Sequence, residues 1–161
     1  YQPRYFCLME VFRLCREQYC RTLDGKGAAL HGARWNSAGV ELIYTAANRS
    51  LAMAELAVHL SLASVPGDFF MITISIPDDL LVSEINITGL PNGWNSFPHI
   101  STTKRIGDRF VSENAFCILK VPSAVTKGDY NYLINPHHPD FAKINISGVE
   151  KFPFDRRIFR L

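Results

Sequence analysis

The stretch VELIYTAANRSLAMAELAVHL, Val40 to Leu60, carries two periodicities in one short run, and the change between them decides the fold. Val40–Ala46 is rich in β-branched and aromatic residues and reads as a strand. From Leu51 to Leu60, Leu, Ala and Met dominate without Gly or Pro, and Asn48 or Ser50 can cap the N-terminus, so this part reads as a helix. One residue is out of place. At helical spacing Glu55 lies over Leu51 and Ala52 on one side and Val58 and His59 on the other, and no Lys or Arg stands three or four residues away. Either Glu55 lies on a narrow exposed stripe, or a partner from elsewhere in the fold holds it, because an unpaired carboxylate on an apolar surface carries a desolvation cost.

Upstream, Val11–Leu14 reads as a short strand whose continuation to Cys20 can turn helical, and Leu23–Gly39, with four glycines, reads as a loop of special backbone conformations. Downstream, Asp68–Ile76 alternates as a strand, residues 83–100 are irregular, and Arg105–Ser112 is a short helix. Asn114–Ser123 is a strand that ends at Pro122, and Asn131–Ser147 is a Pro-punctuated loop followed by a strand at Lys143–Ser147. The closing FDRRIFRL reads as another strand. Strands outnumber helices without regular βαβ alternation, which predicts an α+β fold rather than a doubly wound sheet.

The chain of 161 residues suits a single domain, here residues 9–161 with Met9 as the natural start, and residues 1–8 are then an upstream extension or vector-derived. Hydrophobic residues at 47% against 20% charged exclude a disordered chain. A formal charge of +2 with scattered Lys and Arg gives no stripe for direct nucleic acid binding, and no apolar run reaches the ~20 residues of a membrane span. The cysteines at 7, 15, 20 and 117 form no CxxC pair and read as reduced thiols of a cytoplasmic protein.

The named phosphate loops fail: Leu30 stands where G-x-G-x-x-G needs glycine, and Gly25-Lys26 is followed by Gly27 instead of Ser or Thr. No G-x-S-x-G elbow surrounds a serine. His137-His138-Pro139-Asp140 groups ligand-type residues, but Pro139 breaks helical spacing and no second pair is evident, so no metal site is expected. What remains is GARWN. It presents the Arg34 guanidinium, suited to a bidentate phosphate or carboxylate contact, beside the Trp35 indole; the alternative is that Trp35 is core and Arg34 binds a carbonyl.

The ordered strings GKGAALHGARWNSAGVELIYTAANRSLAMAELAVHL, GDRF, ILKVPSAV, NYLINPHHPDF and FDRR together resemble the RES domain, a family named for an Arg, a Glu and a Ser that contains toxins of bacterial toxin–antitoxin pairs. The resemblance runs from about Val11 to the C-terminus, with one departure at Ala33, where the family commonly has a second Gly before Arg-Trp. It implies a fold similar to ADP-ribosyltransferases, with mixed, largely antiparallel sheets flanked by helices. It also implies an NAD-consuming activity in which NAD is substrate and no cofactor is required. Carried over by position, the catalytic set is Arg34, Tyr44, Glu55 and Ser123, with Trp35, Asn36, His59 and Asn135 as substrate-binding candidates; Trp35 and His59 equally suit packing roles.

Those residue types fit the chemistry. Cleaving the nicotinamide–ribose bond builds positive charge on the sugar, which a nearby carboxylate stabilises. Arg34 would bind pyrophosphate or ribose, Tyr44 would offer an aromatic face to nicotinamide, and Ser123 would orient Glu55 or the substrate. The set does not encode the acceptor, so water, phosphate or a protein side chain all remain open, and a catalytically silent nucleotide-binding module is a third reading. The resemblance further implies an Xre-like helix-turn-helix antitoxin that covers the site and makes any DNA contact, and it leaves room for a homodimer.

Overall fold

The computed structural model describes residues 8–60 and 67–159, and these form a seven-stranded sheet with three α-helices among the described residues. The strands are β1 (Leu8–Arg16), β2 (Ile43–Ala46), β3 (Phe69–Pro77), β4 (Val82–Glu84), β5 (Ile118–Pro122), β6 (Tyr130–Ile134) and β7 (Asn145–Lys151). Their order is β4-β5-β6-β2-β1-β3-β7, with β4 and β5 parallel and every other neighbouring pair antiparallel. The helices are α1 (Lys26–His31), α2 (Arg49–Ala57) and α3 (Ser101–Glu113). This is the α+β architecture expected, in one sheet.

Side chains alternate across the strands and give the two faces different cores. One face is continuous: Val11, Ile43, Ile72, Ile74, Ile118 and Ile134 pack together under the segments that carry Cys20, Leu80 and Ile144. The opposite face is split. Leu119, Val121 and Leu133 pack with Trp35, Trp94 and Phe110 of α3, while Phe12 and Met71 pack with Ala46 and with Leu51 and Ala52 of α2. The split follows from the backbone: β1 and β2 pair at one position, Phe12↔Ala46, whereas β1 and β3 pair along their whole length from Leu8↔Pro77 to Arg16↔Phe69. Two well-paired half-sheets therefore meet at a narrow seam.

Several local expectations shift. The first strand extends well beyond Val11–Leu14, since β3 offers it a full-length partner, and the chain after it makes a 3-10 turn at Glu17–Tyr19. The glycine-rich segment contains the short α1 and closes at Gly32, whose φ of 72° and close approach to the Asn36 carbonyl exclude a side chain. α2 begins at the Asn48 cap and ends at Ala57, three residues before Leu60. α3 is longer than Arg105–Ser112. β4, within a segment read as irregular, and β6, read as loop, are strands. The last strand lies at Asn145–Lys151, and Arg156–Phe159 is a 3-10 turn instead of a strand. Of residues 1–8, only Leu8 is among the described residues, and it opens β1.

Cys15, Cys20 and Cys117 are buried free thiols; burial pushes Cys15 and Cys117 up to about 11, so both stay protonated at neutral pH. The histidine pair serves a turn. His138 Nδ1 accepts from the Asp140 N–H at 3.1 Å and caps the 3-10 turn Pro139–Lys143, and His137 lies 3.5 Å from Glu41. No helix among the described residues is long and apolar enough to cross a membrane.

Candidate active site

A cleft of about 300 Å³ opens where the two half-sheets part, walled by Phe12, Arg13 and Leu14 of β1, Tyr44, Thr45 and Ala46 of β2, and Ala52, Glu55 and Leu56 of α2. Arg34 and Trp35 close one end, and His59, just past α2, stands exposed at the rim. Five of the eight residues singled out in the sequence thus share one cleft: Arg34, Trp35, Tyr44, Glu55 and His59.

Glu55 reaches it because it continues the buried stripe of α2, one turn beyond Leu51 and Ala52. It is half-buried, and its partner comes from far along the chain: Ser123 Oγ donates to Glu55 Oε1 at 3.0 Å. That hydroxyl also accepts from the Val125 and Thr126 N–H groups at 3.1 and 3.0 Å, so its single proton is directed at the carboxylate. The helix is tied to the same loop at its start. Asn48 Oδ1 caps α2 through the Leu51 N–H at 2.8 Å, while Asn48 Nδ2 donates to Asp129 Oδ2 at 3.1 Å, and Ser123 N–H bonds the Asp129 carbonyl at 2.8 Å. Glu55 is therefore held by a partner from elsewhere in the fold, on a helix whose start is tied to the same loop, while Val58 and His59 beyond it are exposed.

The Arg34 loop is built with equal care. Tyr44 Oη donates to Asn36 Oδ1 at 2.7 Å and accepts from the Trp35 N–H at 3.0 Å, which leaves its ring on the cleft wall and its hydroxyl on the loop. Burial drives the Tyr44 phenol far above its ordinary pKa, against smaller opposing effects of the Trp35 hydrogen bond and Arg34. Asn36 is fully buried and spends Nδ2 on the Ala28, Ser37 and Val40 carbonyls, so all its polar atoms serve the loop. Trp35 is core, 3% exposed, and packs against Trp94 with ring centroids 6.1 Å apart. Arg34 Nη1 donates to the Trp94 and Ser96 carbonyls at 2.8 and 3.0 Å; burial lowers its pKa while Glu55 and Tyr44 act to raise it. The second half of the sequence alternative describes these two residues, since Trp35 is core and Arg34 binds carbonyls, and Arg34 also lines the cleft.

Asn135 lies elsewhere. Fully buried, it donates to Asn114 Oδ1 at 2.8 Å and accepts from the His137 N–H at 3.0 Å, fastening the end of α3 to the turn after β6.

Three residues escaped the sequence reading. Asp108 of α3 accepts from the Ser37 N–H at 2.8 Å and from Ser37 Oγ at 2.6 Å, clamping the Arg34 loop. Arg13 lines the cleft with a side chain that makes no hydrogen bond or ion pair to another described residue, and Asn131 lines it while donating to the Thr45 carbonyl at 3.2 Å. Arg13 carried the same signal as Glu55, a charge inside an apolar element, and could have been found by it.

The family model of the RES domain matches residues 10–157, from β1 to the last 3-10 turn. The Prs ADP-ribosylating toxin of Sphingobium sp. (strain YBL2) is 36% identical over 140 residues, 86% of this chain and 87% of that protein. The Toxin Res of Pseudomonas putida (strain KT2440) is 34% identical over 139 residues, 85% of this chain and 92% of its own. A chain of the crystal structure of the M. tuberculosis MbcT–MbcA toxin–antitoxin complex superposes with a TM-score of 0.74 at 18% identity, over 96% of this chain and 88% of that one, which shows a shared fold. Because similarity of this extent runs through both half-sheets and every element that builds the cleft, the chain belongs to the RES domain family.

Proposed function

We propose that this protein is a toxin that degrades NAD by cleaving its nicotinamide–ribose bond, with water or phosphate as acceptor. The observation that carries the reading is that Glu55 is the one carboxylate lining the cleft among the described residues, oriented by Ser123 and within electrostatic reach of Arg34. A two-carboxylate glycosidase needs a second acid there. A single oriented carboxylate instead suits a leaving group that departs without protonation. The bond from ribose C1′ to the ring nitrogen breaks, its electron pair goes to nicotinamide, and the positive charge left on the sugar faces Glu55. A new C1′–O bond to water or phosphate completes the step, and a proton passes to solvent when water is the acceptor.

In this reading Arg34 binds the anionic part of the dinucleotide with the donors its two carbonyl bonds leave free, and the Tyr44 ring faces nicotinamide. Ser123, Asn36 and Trp35 position the groups that touch substrate, His59 stands at the rim, and Asn135 stabilises α3. NAD is consumed, so no cofactor is invoked. A cytoplasmic setting and an antitoxin of the Xre-like helix-turn-helix class, covering the cleft and carrying any DNA contact, complete the proposal; the toxin–antitoxin pairing of the M. tuberculosis structure supports an antitoxin partner.

Transfer of ADP-ribose to a protein by the same site is the second reading, favoured by the name of the Sphingobium relative. A silent binding module is disfavoured, since Arg34 and Glu55 are both present and both line the cleft. The test is incubation of the purified chain with NAD, with and without inorganic phosphate, beside Glu55→Ala and Arg34→Ala. Nicotinamide release by the parent is expected, with a loss of a hundredfold or more (~3 kcal/mol of barrier) in each variant while the fold stays intact by circular dichroism. ADP-ribose or a phosphorylated product then names the acceptor. NAD that stays intact without a protein acceptor but yields ADP-ribosylated protein and free nicotinamide once acceptor proteins are added selects the transferase reading, and no reaction of either kind overturns both.

A further inference from the structure

The floor of the cleft holds a polar group that the reading above does not use. Three neighbouring strands form this floor, and their registers set its residues in rows. Val121 of β5 pairs with Asn131 of β6, which pairs in turn with Ala46 of β2. The row below is Leu119, Leu133 and Tyr44. In the row above, Ser123, which holds Glu55 at 3.0 Å, bonds the Asp129 carbonyl through its N–H at 2.8 Å. The rows face α2 and the Trp35 cluster, since Ala46 packs with α2 while Leu119, Val121 and Leu133 pack with Trp35. Asn131 is the polar member of the middle row. It lies one diagonal step from Tyr44 and one from Ser123, about 7–8 Å between Cα atoms, a span that side chains bridge.

Its amide has one orientation. A carbonyl cannot donate, so the Thr45 carbonyl at 3.2 Å must meet Nδ2, and Oδ1 turns away from it. Oδ1 accepts from no described residue, and the half-buried side chain lines the cleft. Around it the wall is built of alanines, Ala46 beside it, Ala52 on α2 and Ala124 past Ser123, whose methyls leave the amide open to an occupant. A strand thus presents a fixed accepting oxygen between the Glu55 carboxylate and the Tyr44 ring. Such an oxygen favours a group that donates and repels a negative one, and covering it with a group that cannot donate leaves a desolvation cost.

In a pyridine dinucleotide the ribose hydroxyls both donate and accept, so an accepting oxygen exerts little choice among them. The 3-substituent of the ring is different. As a carboxamide it has two N–H donors; as a carboxylic acid it is an anion at neutral pH with no hydrogen to give. We propose that Asn131 Oδ1 accepts an N–H of the nicotinamide carboxamide, a contact that rests on the NAD reading above, and that it makes the site select amide over acid pyridine dinucleotides.

The test compares kcat/KM of the purified chain for NAD and for nicotinic acid adenine dinucleotide, followed by release of the free base. The expected preference for NAD is about a hundredfold or more. Asn131→Ala should lower kcat/KM for NAD about tenfold or more with a smaller effect on the acid form, so the ratio falls. A parent that uses both dinucleotides equally, or a variant that loses equally on both, overturns the proposal, the second because a purely structural role would act on both alike. Binding of free nicotinamide and of nicotinate, followed by saturation-transfer NMR, separates this contact from the cleavage reading. The parent should bind nicotinamide in preference, and the preference should shrink in Asn131→Ala. Selective nicotinamide binding by a chain that leaves NAD intact under every condition above supports the Asn131 contact and overturns NAD cleavage. NAD cleavage without either selectivity upholds the cleavage reading and overturns the contact. Both parent measurements decide the matter even where the variant does not fold.

Discussion

Gly107→Ala sets two physical effects of opposite sign against each other. In an exposed helix the exchange stabilises by about 1 kcal/mol, because Ala loses less backbone entropy. At Gly107 an added Cβ would stand 1.6 Å from the Trp35 carbonyl oxygen, whereas real Cβ atoms essentially never come within 3.0 Å of a neighbour. The clash is with backbone, so α3 and the Arg34 loop must separate by more than an ångström. That movement breaks the neighbouring clamp, in which Asp108 accepts from Ser37 N and Oγ at 2.8 and 2.6 Å. Hydrogen bonds to a charged group contribute about 1.5–3 kcal/mol each, so losing both costs about 3–6 kcal/mol. After the helix gain, a net destabilisation of roughly 2–5 kcal/mol remains, or a fall of roughly 4–20 °C in Tm for a domain of this size. Thermal and urea melts by circular dichroism read it directly. Asp108→Asn should weaken the same clamp, and the double variant should cost less than the sum, since the clamp can be lost only once. A Gly107→Ala protein that melts at or above the parent would refute the close approach and the positioning role assigned to α3.

Ser123→Ala removes the one donor on Glu55 among the described residues and strands the Val125 and Thr126 N–H groups, so a kcat loss of about ten- to a hundredfold should accompany a lower Tm; an unchanged kcat would show that Glu55 needs no such guide. Tyr44→Phe leaves the Trp35 N–H and Asn36 Oδ1 without their phenol, costing about 1–3 kcal/mol at neutral pH. The pH dependence has a definite sign. Because burial raises the Tyr44 pKa in the folded state, the native protein holds its proton longer than the unfolded chain; that stability is complete below about pH 10 and is lost as pH rises through the folded value. The stability gap between parent and Tyr44→Phe, from urea melts, should therefore narrow above about pH 10, and a constant gap would contradict the burial argument.

Local chemistry was legible in the chain where it acts over a few residues. Asn48 caps α2 because an amide three residues before the Leu51 N–H can reach it, and the strand around Ile43–Ala46 follows from its β-branched and aromatic content. Glu55 announced itself as a charge without a local partner. Local spacing did not reveal its partner, because Ser123 is 68 residues away and is brought close only by pairing across the sheet; the resemblance alone pointed to Ser123. Likewise β6 looks like loop, with Asn131, Asn135 and Pro136 in or beside it, and becomes a central strand because β5 and β2 flank it on both sides. β4 is three residues long and exists through its parallel partner β5.

By itself the sequence determined the fold class and the helix that carries Glu55 and, through the ordered motifs of the resemblance, singled out Arg34, Tyr44, Glu55 and Ser123 as candidates, since these rest on short-range periodicity and on strings of fixed spacing. The tertiary structure alone decided that β1 and β2 part after one residue pair to open a cleft, that Asn36 and Asn135 spend their amides on the scaffold, and that Asp108 holds the Arg34 loop. The physical reason is the same in each case. A side chain's hydrogen-bond partner is fixed by where distant segments pack, and packing depends on the whole pattern of burial, which no short window of sequence contains.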